Sequence, residues 1–194
     1  MHNIVYNEIK IMSAQKNKGE PFFLYYNVAI LILVVGSFGI NGMVNFEKLP
    51  AFSALVITHG IIMLLWYGLV VLQGILIRQG NHKIHFTLGR ASIPLAAGII
   101  ITGVMMSVDN YHRSGAPTVF TVNLPITINF MILYFLAIYR RKYADQHKRF
   151  ILFSSIAIIV PAFGRIIQLA EIDGFFSIPM WLLLLLPPIV YDLR

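Results

Sequence analysis

Histidine and arginine set among apolar residues are the side chains of this chain most suited to chemistry. His59 lies inside a long apolar run and shares a helical face with Trp66 and Gln73, at spacings of seven residues. An imidazole in hydrocarbon needs a polar partner and turns toward the protein interior. There it can relay a proton, hold a ligand or lock two helices together. Arg165 sits in a later apolar run, with Pro161 and Gln168 on the same face and Gly164 beside it, small enough for a neighbouring helix to approach. An arginine at the middle of a bilayer costs roughly 2.5–3.5 kcal/mol on insertion scales, and snorkelling outward reduces that cost. Arg165 therefore either anchors an anionic or carbonyl group (a carboxylate, a haem propionate, a quinone oxygen) or has a structural use. The structural use is pairing with Glu171 or Asp173, or contact with lipid headgroups. Asn123 and Thr127 are polar residues of a third run that can join such a site.

A second set of histidines flanks the apolar runs. His82 and His85 precede one run, one helical turn apart, and His147 precedes another. Imidazole suits both metal ions and haem iron. Histidines in basic interfacial loops also commonly meet only headgroups. The chain has no cysteine, which excludes disulfides, thiolate metal sites and iron–sulfur clusters. No phosphate loop, nucleophile–histidine–acid arrangement or pair of intramembrane carboxylates points to a hydrolase. Whether the protein is an enzyme stays open at this level.

The elements that must carry these residues are six apolar runs, at about 22–40, 51–77, 86–108, 119–139, 150–170 and 175–191. Of the 194 residues, 58% are hydrophobic and 12% charged, about half the charge of an average soluble domain. Mean hydropathy is +0.76. Each run is near the roughly 20 residues needed to cross a bilayer as a helix, and backbone groups in lipid must be satisfied within the span. The expected fold is an all-α membrane protein, a six-transmembrane-helix bundle forming a single domain over residues 21–194. Residues 1–20 read as a polar lead-in with a short interfacial helix around Ile4–Met12 and no secretory signal.

Lys and Arg concentrate in alternate connections. Lys10, Lys16 and Lys18, then Arg78, Lys83 and Arg90, then Arg140, Arg141, Lys142, Lys148 and Arg149, and finally Arg194 fall on one side. The other side carries only Lys48 and Arg113 among four acids. The positive-inside rule then places both termini in the cytoplasm. The net charge of +7 follows from this inner-face bias, so the expected partner is the bilayer and not nucleic acid.

Orientation assigns depth. At 1.5 Å per residue, His59 lies about 13 Å and Arg165 about 9 Å below the outer surface. His59, Trp66, Gln73, Asn123, Thr127, Arg165 and Gln168 are therefore a candidate ligand-binding group in the outer half, if the second and fifth spans touch. His82, His85 and His147 form a candidate metal or haem group at the inner face. About 18 residues, roughly 27 Å of helix, separate His59 from the inner end of its span, so the two groups cannot share one iron. Pro187-Pro188 should kink the sixth span, and Asp173-Gly174 should turn the fifth tightly into it.

Three phrases carry a resemblance: His59-Gly60 followed by Met63, Trp66 and Gln73; His85-Phe86-Thr87-Leu88-Gly89-Arg90; and His147-Lys148-Arg149. Between about Thr58 and Arg165 the chain resembles a family of uncharacterised bacterial multi-span membrane proteins. The H-x-x-L-G phrase is also similar to one in transmembrane b-type cytochromes of the ascorbate and ferric-reductase type. In that family histidines of four helices ligate two haems. The resemblance implies an inner haem on His85 and His147 and an outer one on His59, although the outer half offers His59 no second histidine. The expectation is thus a bacterial inner-membrane protein with an intramembrane binding site built around His59 and Arg165, for haem b or a quinone, in electron transfer. The alternatives are a non-enzymatic assembly or structural subunit, and a transporter or channel for small anionic solutes.

Overall fold

In the computed structural model, residues 20–48, 53–115 and 117–193 are described. The polar lead-in, Pro50 and the start expected for the second span at residue 51 lie outside them. The helices are α1 (Pro21–Val44), α2 (Ala54–Arg78), α3 (His82–Ser114), α4 (Thr118–Tyr139), α5 (Ala144–Ala157), α6 (Val160–Ala170), α7 (Ser177–Leu183) and α8 (Leu186–Asp192). Together they make six helical stretches long and apolar enough to cross a membrane, the fifth built from α5 and α6 and the sixth from α7 and α8. Large apolar side chains stand exposed around them, Ile32 at 67% and Phe135 at 66% among others. Such a surface suits lipid rather than water.

Local sequence sets the ends. The Ser53 hydroxyl accepts from the Val56 N–H at 3.3 Å and caps α2. Asn81 does the same for α3 through the Ile84 N–H at 3.3 Å. Between them Gly80 takes φ +72°, the left-handed conformation that a tight α2–α3 turn requires. The α3 helix begins at His82 and runs 33 residues, longer at both ends than its apolar run predicts.

Successive helices pack side by side from α1 to α5, and α6 returns to α1. The fifth stretch is central: 56% of its most apolar window is buried, against 17–22% for the first four and 6% for the sixth. The sixth lies outside, held where Phe22 stacks on Tyr191 at 4.1 Å and where α7 meets α6. Close approach elsewhere needs glycine. A Cβ on Gly74 would stand 3.1 Å from Leu24 Cδ1 of α1, and one on Gly98 would stand 3.3 Å from Ile62 Cδ1 of α2. Gly164 has no such neighbour within 4 Å, so it is Gly74 and Gly98 that admit neighbouring helices. Gly74→Leu should part α1 from α2 and cost about 1–3 kcal/mol, as overpacking does. Thermal unfolding in detergent checks this, and an unchanged midpoint would count against the close α1–α2 packing.

The fifth span, expected as one helix, breaks at Ile158-Ile159. Pro161 has no N–H to continue the ladder and opens α6. The Ile159 N–H turns to the Ile156 carbonyl, which releases the Ser155 carbonyl. The Tyr67 hydroxyl donates to that oxygen at 3.1 Å, and the Trp181 indole N–H donates to the Ile156 carbonyl at 2.9 Å. The expected kink in the sixth span falls at Leu184-Leu185. Pro188 leaves the Leu184 carbonyl without its helical donor, and the Tyr26 hydroxyl reaches it at 2.5 Å. Irregular backbone at membrane depth is tolerated when protein groups complete its hydrogen bonds, and here aromatic side chains of other helices do so.

Candidate functional site

Arg78, His82, Arg141 and Lys148 gather at one end of the bundle, its basic end. A cavity of about 740 Å³ opens there between α1, α2, α3 and α5. Trp66 lines its deepest part. That indole is 1% exposed, meets Phe130 edge-on at 5.1 Å and Tyr134 at 5.5 Å, and donates to the Ser155 hydroxyl at 3.2 Å. A side lobe of about 760 Å³ leads from His85, Gly89 and His147 out between α3 and the α4–α5 turn. His85 and His147 line both spaces, so they stand where the two meet.

Hydrogen bonds fix the state of several of these groups. The His147 Nδ1 lies 2.8 Å from the Ala137 carbonyl oxygen. A carbonyl only accepts, so Nδ1 carries a proton, and in the neutral ring the free nitrogen is Nε2, the tautomer suited to ligating a metal. The Gln73 amide donates through Nε2 to the His85 carbonyl at 3.2 Å. Its Oε1 is buried with no partner, as are Arg78 Nη1 and His85 Nδ1. These are three of the four such side-chain atoms among the described residues, the other being Asn27 Oδ1. Buried polar atoms are normally satisfied, and the concentration of exceptions in one cavity marks it as a place for a polar or charged guest. Gly89 lies one helical turn after His85, and a Cβ there would meet only Gln73 Nε2, at 3.9 Å. The α3 wall is therefore flat beside the histidine.

The residues expected in the outer half divide into separate groups. His59 Nδ1 lies 2.7 Å from the Thr102 hydroxyl, which gives its own proton to the Gly98 carbonyl at 2.6 Å. His59 Nδ1 is therefore the donor. Its Cε1 and Thr127 Oγ1 both approach Gly103, at 3.9 and 3.5 Å from where a Cβ would stand, so His59 fits between α3 and α4. Thr127 donates to the Asn123 carbonyl at 2.9 Å. Arg165 has other company. Its guanidinium lies over the Phe38 ring at 5.6 Å, and its Nη1 is 3.5 Å from Gln168 Oε1, which also accepts from buried Asn41 at 3.2 Å. That set ties α6 to α1. Among the described residues no hydrogen bond, ion pair or ring contact joins Arg165 to His59, Glu171 or Asp173, and the Asp173 carboxylate accepts from the Phe175 N–H at 2.7 Å.

Trp66 and Gln73 belong with the basic-end cavity. The stripe His59, Trp66 and Gln73 does face the interior: each finds a polar partner on a neighbouring helix, Thr102, Ser155 and the His85 carbonyl. His82 opens α3 one turn before His85 and lines the cavity mouth. Sequence reasoning passed over Arg78 as a site residue, counting it only toward the orientation, and Gly89, whose signal was its place in the H-x-x-L-G phrase. No protein-family model matches the chain, no curated protein is significantly similar to it, and no solved structure matches it significantly.

Proposed function

We propose that this is a multi-pass protein of the bacterial cytoplasmic membrane, both termini inside, that binds haem b between His85 and His147 and serves electron transfer. The observation that carries the reading is two histidines of different helices lining one cavity, one of them held through Nδ1–H by the Ala137 carbonyl, so that Nε2 is the nitrogen left for a ligand. The residues present fit the group. Gly89 leaves room for a flat ring system, Phe86 and Ile138 offer apolar walls, and Arg78 and Arg141 offer donors for acidic substituents. Bound there, haem would supply one-electron chemistry at iron. The chain's own part is to hold two imidazoles, neutralise the acidic edge and exclude water below Trp66. The outer half does not fit a second haem of the same kind, because His59 is bonded to Thr102 and His112, the other described histidine away from the basic end, stands exposed in the last turn of α3, ten residues beyond Thr102.

The test is a visible spectrum of the purified protein after haem supplementation. A sharp Soret band with the split visible bands of a low-spin, two-histidine haem, at one haem per chain, is expected. A chain that remains colourless, or takes up haem without that signature, sinks the reading.

A further inference from the structure

The side lobe of the cavity has a chemistry of its own. Its lining includes Arg90 of α3 and Arg141 and Lys142 of the α4–α5 turn, with no carboxylate among the lining residues. The acids of this end are engaged elsewhere. Glu20 and Asp145 meet Lys148 at 2.8 and 2.7 Å, and Asp192 takes both arms of Arg149 at 2.6 and 2.7 Å. Among the described residues no salt bridge reaches Arg90, Arg141 or Lys142. Beside these cations, Phe86 and Ile93 line the same lobe and are 66% and 54% exposed. They lie on the flank of α3, where acyl chains would run.

We infer that this lobe is a binding site for one anionic phospholipid, its phosphate held by Arg90, Arg141 and Lys142 and its chains laid along Phe86 and Ile93. Charge complementarity selects the occupant. Three cations without a carboxylate, at the level where apolar surface gives way to charged loops, match a phosphodiester on a hydrocarbon tail. A soluble anion would use the cations and leave the apolar strip bare. A zwitterionic lipid brings its own cation and gains less. The inference uses none of the histidines but shares Arg141 and Phe86 with the proposed haem site, so lipid is counted on haem-free protein and its outcome is read separately from the Soret band.

Protein in detergent is offered phosphatidylglycerol or phosphatidylcholine, and bound lipid is counted by native mass spectrometry alongside the unfolding temperature. Retention of phosphatidylglycerol about tenfold above phosphatidylcholine, with a higher unfolding temperature, is expected. The triple variant R90Q/R141Q/K142Q should lose the preference. K83Q/R140Q removes two charges of the same end outside the lobe and should keep it, and R90K/R141K should keep most of it. Equal retention of the two lipids overturns the proposal, as does a preference that survives the triple variant. Stabilisation by inorganic phosphate alone, equal to that by the lipid, also overturns it in favour of a free-anion site. If the triple variant does not fold, loss of the preference in K83Q/R140Q is the outcome that overturns it.

Discussion

Haem titrated into the His85→Ala/His147→Ala double variant should give no low-spin Soret band, while His59→Ala should titrate like the parent chain. The difference follows from where the imidazoles stand. His85 and His147 line one cavity, whereas His59 is bonded to Thr102. The α2 helix runs unbroken below His59, which leaves it about 27 Å from the basic end. A hydrogen-bond partner of a metal ligand is commonly worth 10–100-fold in affinity, so loss of a ligand itself should cost more than about tenfold in either single variant. Absorbance titration at fixed haem separates the cases. A band lost in His59→Ala and kept in the double variant would reverse the assignment.

Trp66→Ala should be the most damaging single change to the bundle. The indole is almost wholly buried and touches α4 through Phe130 and Tyr134 and α5 through Ser155. Truncating a buried Trp leaves a cavity and costs about 3–5 kcal/mol in soluble proteins. The packing share of that cost persists in lipid, where helix association rests on close contact. Trp66→Phe keeps most of the ring and loses the bond to Ser155, and interhelical hydrogen bonds in membranes average about 0.6 kcal/mol. Unfolding in mixed detergent should therefore separate the two by several-fold in free energy. Equal losses would assign the role to the hydrogen bond rather than to the packing.

The first four spans and the basic end were legible because they depend on local quantities, run length and charge by loop. The His82, His85 and His147 group was found by counting which loops share a side. The α3 extension was missed because Asn81 caps a helix that starts before its apolar residues do, and polar turns at both ends escape a hydropathy reading. Pro161 is ambiguous in sequence: it can kink a helix or begin one. What decides is whether a distant donor completes the broken ladder, and Tyr67 and Trp181 lie 88 and 25 residues away from the carbonyls they serve. Arg165 shows the same limit. Depth alone makes it a neighbour of His59, but its ring partner Phe38, and the Asn41 that shares Gln168 with it, belong to α1, and helix adjacency is not written in any local pattern. The stripe of His59, Trp66 and Gln73 was visible as a face. Its division between two ends of the bundle was not, because residues fourteen apart on one helix lie roughly 21 Å apart in depth.

The aromatic donors that complete the two broken spans also bear on the order in which the chain is made. A helix whose carbonyls are released in lipid pays several kcal/mol for each group left unsatisfied. The fifth span therefore cannot rest in the bilayer alone as cheaply as the first four. Tyr26 and Tyr67 emerge from the ribosome before the Leu184 and Ser155 carbonyls they satisfy, so α1 and α2 are waiting when the broken spans arrive. Trp181 comes after the Ile156 carbonyl, which the Ile159 N–H already serves, and adds a second donor to it only when the sixth span has entered. Insertion of this protein thus ends with its peripheral span, and a nascent chain halted before Trp181 should already hold the break of its central helix bonded through Tyr67 and Ile159, with only the tie to the sixth span still to form.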